Sequence, residues 1–254
     1  MADAAAKLKS AEDGKLVAGG MTLIPTLKQR LAQPSDLIDL AEIKDLAGIK
    51  ADGAGVTVGA MTTHGAVAAS KDVNSAIPAL AHLAGEIGDP QVRHRGTIGG
   101  SIANNDPAAD YPAACIGLGA TIVTSKREIA ADDFFKGLFE TALDEDEIIT
   151  AVRFPKPKRA AYMKFPNPAS RYALVGVFVA ETANGMRVAV TGAGQNGVFR
   201  VKAMEDALAK SFAPDAVAGI AVPDDDLNSD IHASAEYRAH LVTVMAKRAV
   251  AAAE

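Results

Sequence analysis

A glycine pair followed by small polar residues and two carboxylates, between Thr97 and Asp110, constrains this chain more than any other feature. The pair Gly99-Gly100 lets the backbone approach a ligand closely and reach positive φ without a Cβ clash. Thr97 and Ser101 can bond to ligand oxygens, and exposed N–H groups can hold an anion. Asp110 is too distant for the anion site and suits a sugar hydroxyl. The segment therefore predicts a nucleotide ligand with a diphosphate beside ribose or ribityl hydroxyls.

A second glycine pair, Gly19-Gly20, follows a predicted strand over Lys15–Ala18. A helix is predicted at Leu23–Leu31, with Thr22 as its N-cap. The order of strand, glycine pair and helix is the one that places an anion at the start of a helix. An ordinary tight turn between strand and helix is the alternative.

Length, composition and charge exclude several function classes. The chain has 254 residues, enough for one large domain or two modest ones. Its net charge of −5, with 5% aromatic residues and no tryptophan, argues against a nucleic-acid surface. No apolar run approaches the roughly 20 residues needed to span a bilayer, and no signal-peptide core is present. We therefore expect a cytoplasmic protein.

Metal ligation by this chain is not predicted. The single cysteine, Cys115, lies in an apolar run and is expected to be a small buried residue. One thiol excludes a four-cysteine cluster or zinc site, and the five histidines show no ligand spacing. His64 is predicted to be exposed in the first turn of a helix. Arg93 and Arg95, in a predicted connector over residues 88–96, could neutralise a phosphate or pair with carboxylates.

The best domain boundary is the segment Pro155–Arg159, with two prolines and three cations. Before it, short strands and helices alternate, and the acidic segment Glu140–Glu147 is predicted to be a solvated loop. After it, strands are predicted at residues 161–165, 173–182 and 186–191, the last two joined by the hairpin turn Asn184-Gly185. Helices follow at residues 201–211, 214–220 and 233–253. The predicted domains are residues 1–155 and 156–254.

The segment Val188–Gly197 fits the dinucleotide-binding pattern G-x-G-x-x-G after a strand. Its preceding element is a hairpin, and no alternating β and α units follow it. We interpret it as a turn that joins a sheet to a helix.

Two long segments resemble the FAD-binding medium subunit of the molybdenum hydroxylases, the group of aerobic carbon monoxide dehydrogenase and xanthine dehydrogenase. They are Leu16-Val-Ala-Gly-Gly-Met-Thr-Leu-Ile-Pro25 and Gly88-Asp-Pro-Gln-Val-Arg-His-Arg-Gly-Thr-Ile-Gly-Gly-Ser-Ile-Ala-Asn-Asn-Asp-Pro-Ala-Ala-Asp110. Shorter similarities lie at residues 58–64, 147–155 and 230–238, so the resemblance covers nearly the whole chain.

The resemblance implies an α+β fold. An FAD-binding domain of the PCMH type, with two α/β subdomains that meet near residues 50–55, precedes a C-terminal domain with a three-stranded antiparallel sheet and helices. It also implies the cofactor-binding residues, and no catalytic or metal-binding residue. Both glycine segments would hold the FAD diphosphate, and Asp110 would bind a cofactor hydroxyl. Ile87, Ile149, Lys164 and Tyr172 would lie near the flavin ring. These residues are Ala18, Gly19, Gly20, Met21, Thr22, Ile87, Thr97, Ile98, Gly99, Gly100, Ser101, Asp110, Ile149, Lys164 and Tyr172.

The chain departs from the family pattern at two places. Met21 replaces the polar residue common after the first glycine pair, which removes one side-chain hydrogen bond and leaves the backbone donors unaffected. The chain also begins near the first helix, where the family usually has a preceding strand. The first subdomain is therefore expected to lack an edge strand.

The resemblance implies an electron-transfer subunit. FAD on this chain would collect electrons from two [2Fe-2S] clusters of a small partner and pass them to an acceptor. A large partner with the molybdenum cofactor would oxidise the substrate, in a dimer of heterotrimers. The alternatives are a stand-alone flavin-dependent reductase or oxidase and a non-enzymatic FAD-binding assembly protein. Substrate and acceptor, whether NAD, quinone or oxygen, are left open.

Overall fold

The computed structural model describes residues 1–253, which fold into helices and four small sheets. The helices are α1 (Ala2–Ser10), α2 (Leu23–Lys28), α3 (His64–Ala69), α4 (Lys71–Ala76), α5 (Pro78–Gly85), α6 (Pro90–Arg95), α7 (Ile98–Asn104), α8 (Tyr111–Leu118), α9 (Ala131–Phe134), α10 (Lys202–Lys210), α11 (Pro214–Ala218) and α12 (Ala235–Ala252). The strands are β1 (Gly14–Val17), β2 (Asp36–Asp39), β3 (Ile49–Ala51), β4 (Gly55–Gly59), β5 (Thr121–Thr124), β6 (Glu128–Ala130), β7 (Phe135–Gly137), β8 (Glu140–Thr141), β9 (Ile149–Pro155), β10 (Arg159–Pro166), β11 (Ala173–Thr182), β12 (Gly185–Thr191) and β13 (Phe199–Arg200).

The N-terminal unit is a two-stranded parallel sheet, β1 beside β2, covered by α1. Its small core joins Ala4 of α1 to Ile38 and Leu40 around β2, and reaches Ile148 just before β9. Because β1 ends at Val17, the first glycine pair leaves the sheet directly and leads into α2. This unit therefore positions the first of the two glycine segments.

The middle unit is a five-stranded antiparallel sheet in the order β3-β4-β9-β5-β6. Its central strand β9 pairs Val152 with Val58 on one side and with Ile122 on the other, and all three side chains are fully buried. The turn at residues 52–54 joins two strands of this one sheet, so the sheet favours a subdomain boundary before Ile49 rather than near residues 50–55.

Helix α8 is buried on every side, which explains the uninterrupted apolar run around Cys115. Its residues share one core with the five-stranded sheet and with Tyr162, Phe178 and Ala189 of the C-terminal sheet. The expected burial of Cys115 is confirmed. Helix α8 thus fixes the two larger units against each other behind the start of α7.

The C-terminal unit is an antiparallel sheet in the order β10-β11-β12-β13, covered by α12. The predicted hairpin turn is confirmed, with Gly185 at φ +108°. The sheet has one strand more than expected, because the two-residue strand β13 pairs with β12. The glycine pattern at residues 192–197 lies in the loop between β12 and β13, where the Asn228 amide donates to the Gly192 and Gly194 carbonyl groups. The segment is a turn as expected, but it joins two strands of one sheet rather than a sheet to a helix.

Two further local predictions are wrong. The predicted connector at residues 88–96 contains α6, because the Asp89 carboxylate accepts from the Val92 N–H and Pro90 begins the helix. The acidic segment before β9 is not wholly solvated, since Glu147 is buried.

Candidate functional site

One cavity of about 670 Å³ lies where the three units meet. This volume is within the range of about 300–1,000 Å³ typical of small-molecule and cofactor sites. It is lined by thirteen of the fifteen residues expected at the site: Ala18, Gly19, Gly20, Met21, Thr22, Ile87, Thr97, Gly99, Gly100, Ser101, Asp110, Ile149 and Tyr172. The two glycine segments, far apart in sequence, therefore face a shared space.

Two of the predicted residues do not line this cavity. Ile98 is fully buried in the core of the middle unit, where its side chain packs behind the second glycine segment. The Lys164 side chain is only 1% exposed and lies against Asp110. Lys164 would therefore act on a ligand through Asp110 rather than by direct contact.

The first glycine segment requires glycine for two different reasons. A Cβ on Gly19 would lie 2.1 Å from the Arg95 carbonyl oxygen, so the two chain segments touch there. Gly20 has φ +73°, a conformation that other residues rarely adopt. In the described part of the chain, the N–H groups of residues 19–22 donate to no protein acceptor. They form a run of free donors of the kind that binds anions.

The second glycine segment differs, because the backbone donors of residues 98–101 are already used. Thr97 precedes α7, and its hydroxyl accepts from the Gly100 N–H at 3.2 Å. The N–H groups of Ile98 and Gly99 donate to the carbonyl groups of Thr62 and Ala60, and that of Ser101 donates to Thr97. The expectation that this segment offers a run of exposed N–H groups is therefore wrong. Within the described residues, the Thr97 N–H is the one backbone donor of residues 97–101 without an acceptor.

Gly99 and Gly100 have separate roles. A Cβ on Gly99 would lie 2.6 Å from the Ala60 Cβ, so this glycine allows α7 to pack against the end of β4. A Cβ on Gly100 would lie 3.6 Å from the Ala18 Cβ, between the two glycine segments. Gly100 therefore keeps the cleft open, whereas Gly99 belongs to the packing beneath it.

Asp110 is held by two partners that local sequence patterns do not reveal. Tyr162 Oη donates to Oδ1 at 2.5 Å, and Lys164 Nζ lies 2.9 Å from the same oxygen. Lys164 also donates to the Glu86 carbonyl oxygen at 3.0 Å. Burial raises the pKa of Asp110, while the Lys164 charge and the Tyr162 hydrogen bond oppose that rise. The carboxylate is thus fixed in orientation where it borders the cavity.

The loop between β10 and β11 brings Tyr172 to the cavity. The buried side chain of Asn167 accepts from the Ala169 and Ser170 N–H groups, and its backbone N–H donates to the Tyr172 carbonyl oxygen. Arg171, at φ +62°, also lines the cavity, and sequence reasoning did not predict it. Half-exposed Tyr172 therefore stands at the opening on a well-bonded loop.

The two arginines of α6 fit neither expected role. Arg93 donates to the carbonyl groups of Ile87 and Gly88, and it thereby ties the segment before α6 to the helix. Neither arginine lines the cavity, and neither forms an ion pair within residues 1–253. Arg95 contributes through its backbone, because its carbonyl group lies against Gly19.

His64 contradicts the predicted exposed position. The residue is only 4% exposed, and it lines the cavity. Its backbone N–H donates to the Gly96 carbonyl oxygen at 2.9 Å, and its ring contacts that of Tyr111. Burial and the Arg93 charge lower the pKa of His64 to about 4, so the imidazole is neutral at pH 7. The helix start near His64 was predicted, but the long-range contacts that bury the ring were not.

Glu147 borders the cavity on the side of β9. Arg127 donates to both carboxylate oxygens, at 3.1 and 2.9 Å, and the Thr124 hydroxyl donates to one of them. The Arg127 hydrogen bonds lower the pKa of Glu147 to about 2, although burial opposes this. The pair fixes the turn that leads into Ile148 and Ile149.

Family comparison decides the class of the chain. Residues 1–157 match a family model described as the FAD binding domain in molybdopterin dehydrogenase. The chain belongs to this family.

Other members and a solved structure match the chain over nearly its full length. The medium chain of carbon monoxide dehydrogenase from Hydrogenophaga pseudoflava is 36% identical, over 95% of this chain and 89% of the relative. The nicotine 6-hydroxylase medium subunit of Paenarthrobacter nicotinovorans is 37% identical, over 98% of this chain and 92% of that subunit. A structure of the Hydrogenophaga carbon monoxide dehydrogenase lacking the Mo-pyranopterin moiety superposes with a TM-score of 0.88 at 35% identity. The match covers 98% of this chain and 93% of the chain in that structure.

Membership of the FAD-binding family confirms the resemblance and the expected α+β fold. It also confirms the assignment to an oxidoreductase complex with FAD as cofactor. None of the helices in residues 1–253 combines the length and apolar character that a bilayer crossing requires.

The residues of this family member fit a flavin dinucleotide. Free N–H donors in residues 19–22 suit a diphosphate, and an oriented carboxylate at Asp110 suits a hydroxyl. Apolar Ile87 and Ile149 and the aromatic Tyr172 line the same cavity, as a ring system requires. Chemistry and dimensions therefore agree with the family assignment.

Proposed function

We propose that this chain is the FAD-carrying electron-transfer subunit of a molybdenum-containing hydroxylase or dehydrogenase. The observation that carries the proposal is the shared cavity, in which free backbone donors of residues 19–22 face the cleft kept open by Gly100. Residues 19–22 would bind the diphosphate and Asp110 a cofactor hydroxyl. Ile87, Ile149 and Tyr172 would contact the flavin ring.

The role proposed for the protein is to bind and orient the cofactor. Bound FAD would accept and release electrons, and the chain would supply position and electrostatics. We assign no acid–base or nucleophilic residue. Tyr162 and Lys164 would keep Asp110 correctly oriented.

The proposed partners are a large subunit with the molybdenum cofactor and a small subunit with two [2Fe-2S] clusters, assembled as a dimer of heterotrimers. The single cysteine, buried in α8, cannot hold a four-cysteine cluster. Residues 1–253 contain no group of three or more side chains placed to bind a metal ion. The clusters would therefore lie on another chain. The two relatives are named for carbon monoxide and nicotine, which supports a substrate pocket outside this subunit.

Purification of the full chain with excess FAD tests the proposal. We expect one FAD per chain after gel filtration, measured from the flavin absorbance of the denatured protein. Gly100→Val should lose the flavin, because its methyl groups would enter the cleft. Gly219→Ala is the control, since that glycine at the end of α11 has open space around it. A wild-type chain that binds no FAD would refute the proposal.

Affinity purification of the tagged chain from its native host tests the partners. We expect a larger chain that carries pyranopterin and a smaller chain with the absorbance of [2Fe-2S] clusters. A solitary flavoprotein that oxidises or reduces pyridine nucleotide would instead favour the stand-alone reductase. FAD that is bound but never reduced in the assembled complex would favour the assembly protein.

A further inference from the structure

Two adjoining buried rings beside the cavity carry polar atoms without partners. Within the described residues, His64 Nδ1 and Tyr111 Oη are buried and make no hydrogen bond. The ring centroids are 5.4 Å apart. Buried polar groups in folded proteins are nearly always paired, so each exception calls for an explanation. Because Nδ1 of His64 has no acceptor for a proton, the neutral ring carries its proton on Nε2, and the residue lines the cavity, where a ligand can accept from Nε2–H.

His64 lies directly behind the second glycine segment. Its N–H donates to the Gly96 carbonyl oxygen, and Thr63 pairs with Thr97 in an isolated β-bridge. Nε2 would lie only 2.6 Å from a Cβ on Gly96. The imidazole therefore stands at the same wall of the cavity as Gly100.

This wall offers one backbone donor, the N–H of Thr97, which has no acceptor within the described residues. The N–H groups of residues 98–101 all have acceptors within the protein, in contrast to those of residues 19–22. Beyond Thr97, a diphosphate between the two glycine segments would need side-chain donors on this side. Ser101 offers a hydroxyl, and His64 offers an imidazole N–H.

We propose that His64 contacts the cofactor and donates a hydrogen bond from Nε2–H to a diphosphate oxygen of FAD. The inference rests on the proposed function, because it assumes that FAD occupies this cavity. The low pKa of His64, caused by burial and by the Arg93 charge, means that the ring acts as a neutral donor at pH 7. Arg93 supports this state while its own guanidinium donates to the carbonyl groups before α6.

Paired substitutions separate hydrogen bonding from packing. His64→Leu removes the donor, and we expect the Kd for FAD to rise about tenfold, the effect of losing one hydrogen bond. His64→Gln keeps an N–H near the position of Nε2 and should restore most of the affinity. Val67→Ala controls for loss of stability, because Val67 is a fully buried residue of α3 outside the cavity lining. It should lower the thermal midpoint and leave the Kd unchanged.

Ligand fragments locate the contact. ADP and riboflavin, used as competitors of FAD, report on the two ends of the cofactor. His64→Leu should weaken ADP binding and leave riboflavin unaffected. If wild type binds FAD and His64→Leu binds it equally well, the inference fails while the proposed function stands. A loss confined to riboflavin would also overturn the diphosphate assignment.

If His64→Leu does not fold, nitrogen NMR of a chain that retains His64 provides the test. His82, His94, His232 and His240 are all exposed, so replacing these four with glutamine leaves His64 as the only imidazole. Addition of FAD should shift its Nε2 resonance, and addition of riboflavin should not. An Nε2 resonance that FAD leaves unmoved would refute the contact.

Discussion

Gly99 and Gly100 are neighbours in sequence, yet alanine should lower stability at Gly99 and FAD affinity at Gly100. A Cβ on Gly99 would lie 2.6 Å from the Ala60 Cβ and 2.8 Å from the Ala60 carbonyl oxygen. That oxygen accepts the Gly99 N–H at 2.8 Å, so α7 cannot move away without breaking a hydrogen bond. A Cβ on Gly100 would contact only Thr97 Oγ1 at 3.1 Å and the Ala18 Cβ at 3.6 Å.

The magnitude follows from two opposing terms. Overpacking of a close contact costs about 1–3 kcal/mol, and the Gly99 contact belongs at the upper end because backbone atoms are involved. Alanine gains about 1 kcal/mol over glycine within a helix. The net loss for Gly99→Ala is about 2 kcal/mol, or a fall of about 4–8 °C in the thermal midpoint of a chain of this size. For Gly100→Ala the terms nearly cancel, and the midpoint should change by no more than about 2 °C.

For FAD affinity we expect the larger effect at Gly100 rather than at Gly99. Gly100→Ala narrows the cleft between the glycine segments, and we expect the Kd for FAD to rise about tenfold, equivalent to about 1.4 kcal/mol. At temperatures below its lowered thermal midpoint, Gly99→Ala should bind FAD with the wild-type Kd. Thermal scans of the FAD-free proteins and titrations monitored by flavin fluorescence give both quantities. An unchanged midpoint for Gly99→Ala would refute the packing argument, and an unchanged Kd for Gly100→Ala would refute the cleft.

The buried polar groups around the cavity give three further predictions. His64 titrates near pH 4 when folded and near 6.5 when unfolded, so stability should fall by about 2–3 kcal/mol between pH 7 and pH 4.5. Urea unfolding midpoints at the two pH values should show this loss for wild type and not for His64→Gln. An equal loss in both proteins would contradict the assignment of the low pKa to His64. Arg127→Met leaves Glu147 buried without its cation and should cost about 2–3 kcal/mol at pH 7. Because the Glu147 pKa is lowered to about 2, the difference from wild type should shrink as the pH falls from about 4.5 towards 2; a constant difference would argue against the ion pair. Tyr162→Phe removes the shortest bond to Asp110 and should weaken FAD binding about fivefold in the same titration, whereas an unchanged Kd would separate Tyr162 from the site.

Local sequence signals predicted those parts of the fold that depend on neighbouring residues. Asn184-Gly185 identified the β11–β12 hairpin because few other residue pairs adopt that turn. The helix that begins at His64 was predicted as well, and the Thr63 hydroxyl caps it. The α6 helix was missed although Asp89 and Pro90 carry a start signal, because flanking glycines suggested a connector.

The sequence predicted which residues form the candidate site, but it did not predict the hydrogen bonds that hold them in place. Asp110 was chosen for a hydroxyl, but its partner Tyr162 lies 52 residues away on a strand of another unit. The glycine pairs look equivalent in sequence, yet only the first leaves its N–H groups free, because the Ala60 carbonyl group accepts from Gly99 and the Thr97 hydroxyl accepts from Gly100. Such differences arise from contacts between distant segments, which composition and periodicity do not encode.

The central claim is that residues 19–22 supply the backbone donors for the FAD diphosphate. Amide NMR of the labelled chain during FAD titration tests this most directly. We expect the Gly19, Gly20, Met21 and Thr22 N–H resonances to move downfield together as FAD binds, and riboflavin to leave them in place. Saturable FAD binding with these four resonances unmoved would contradict the claim.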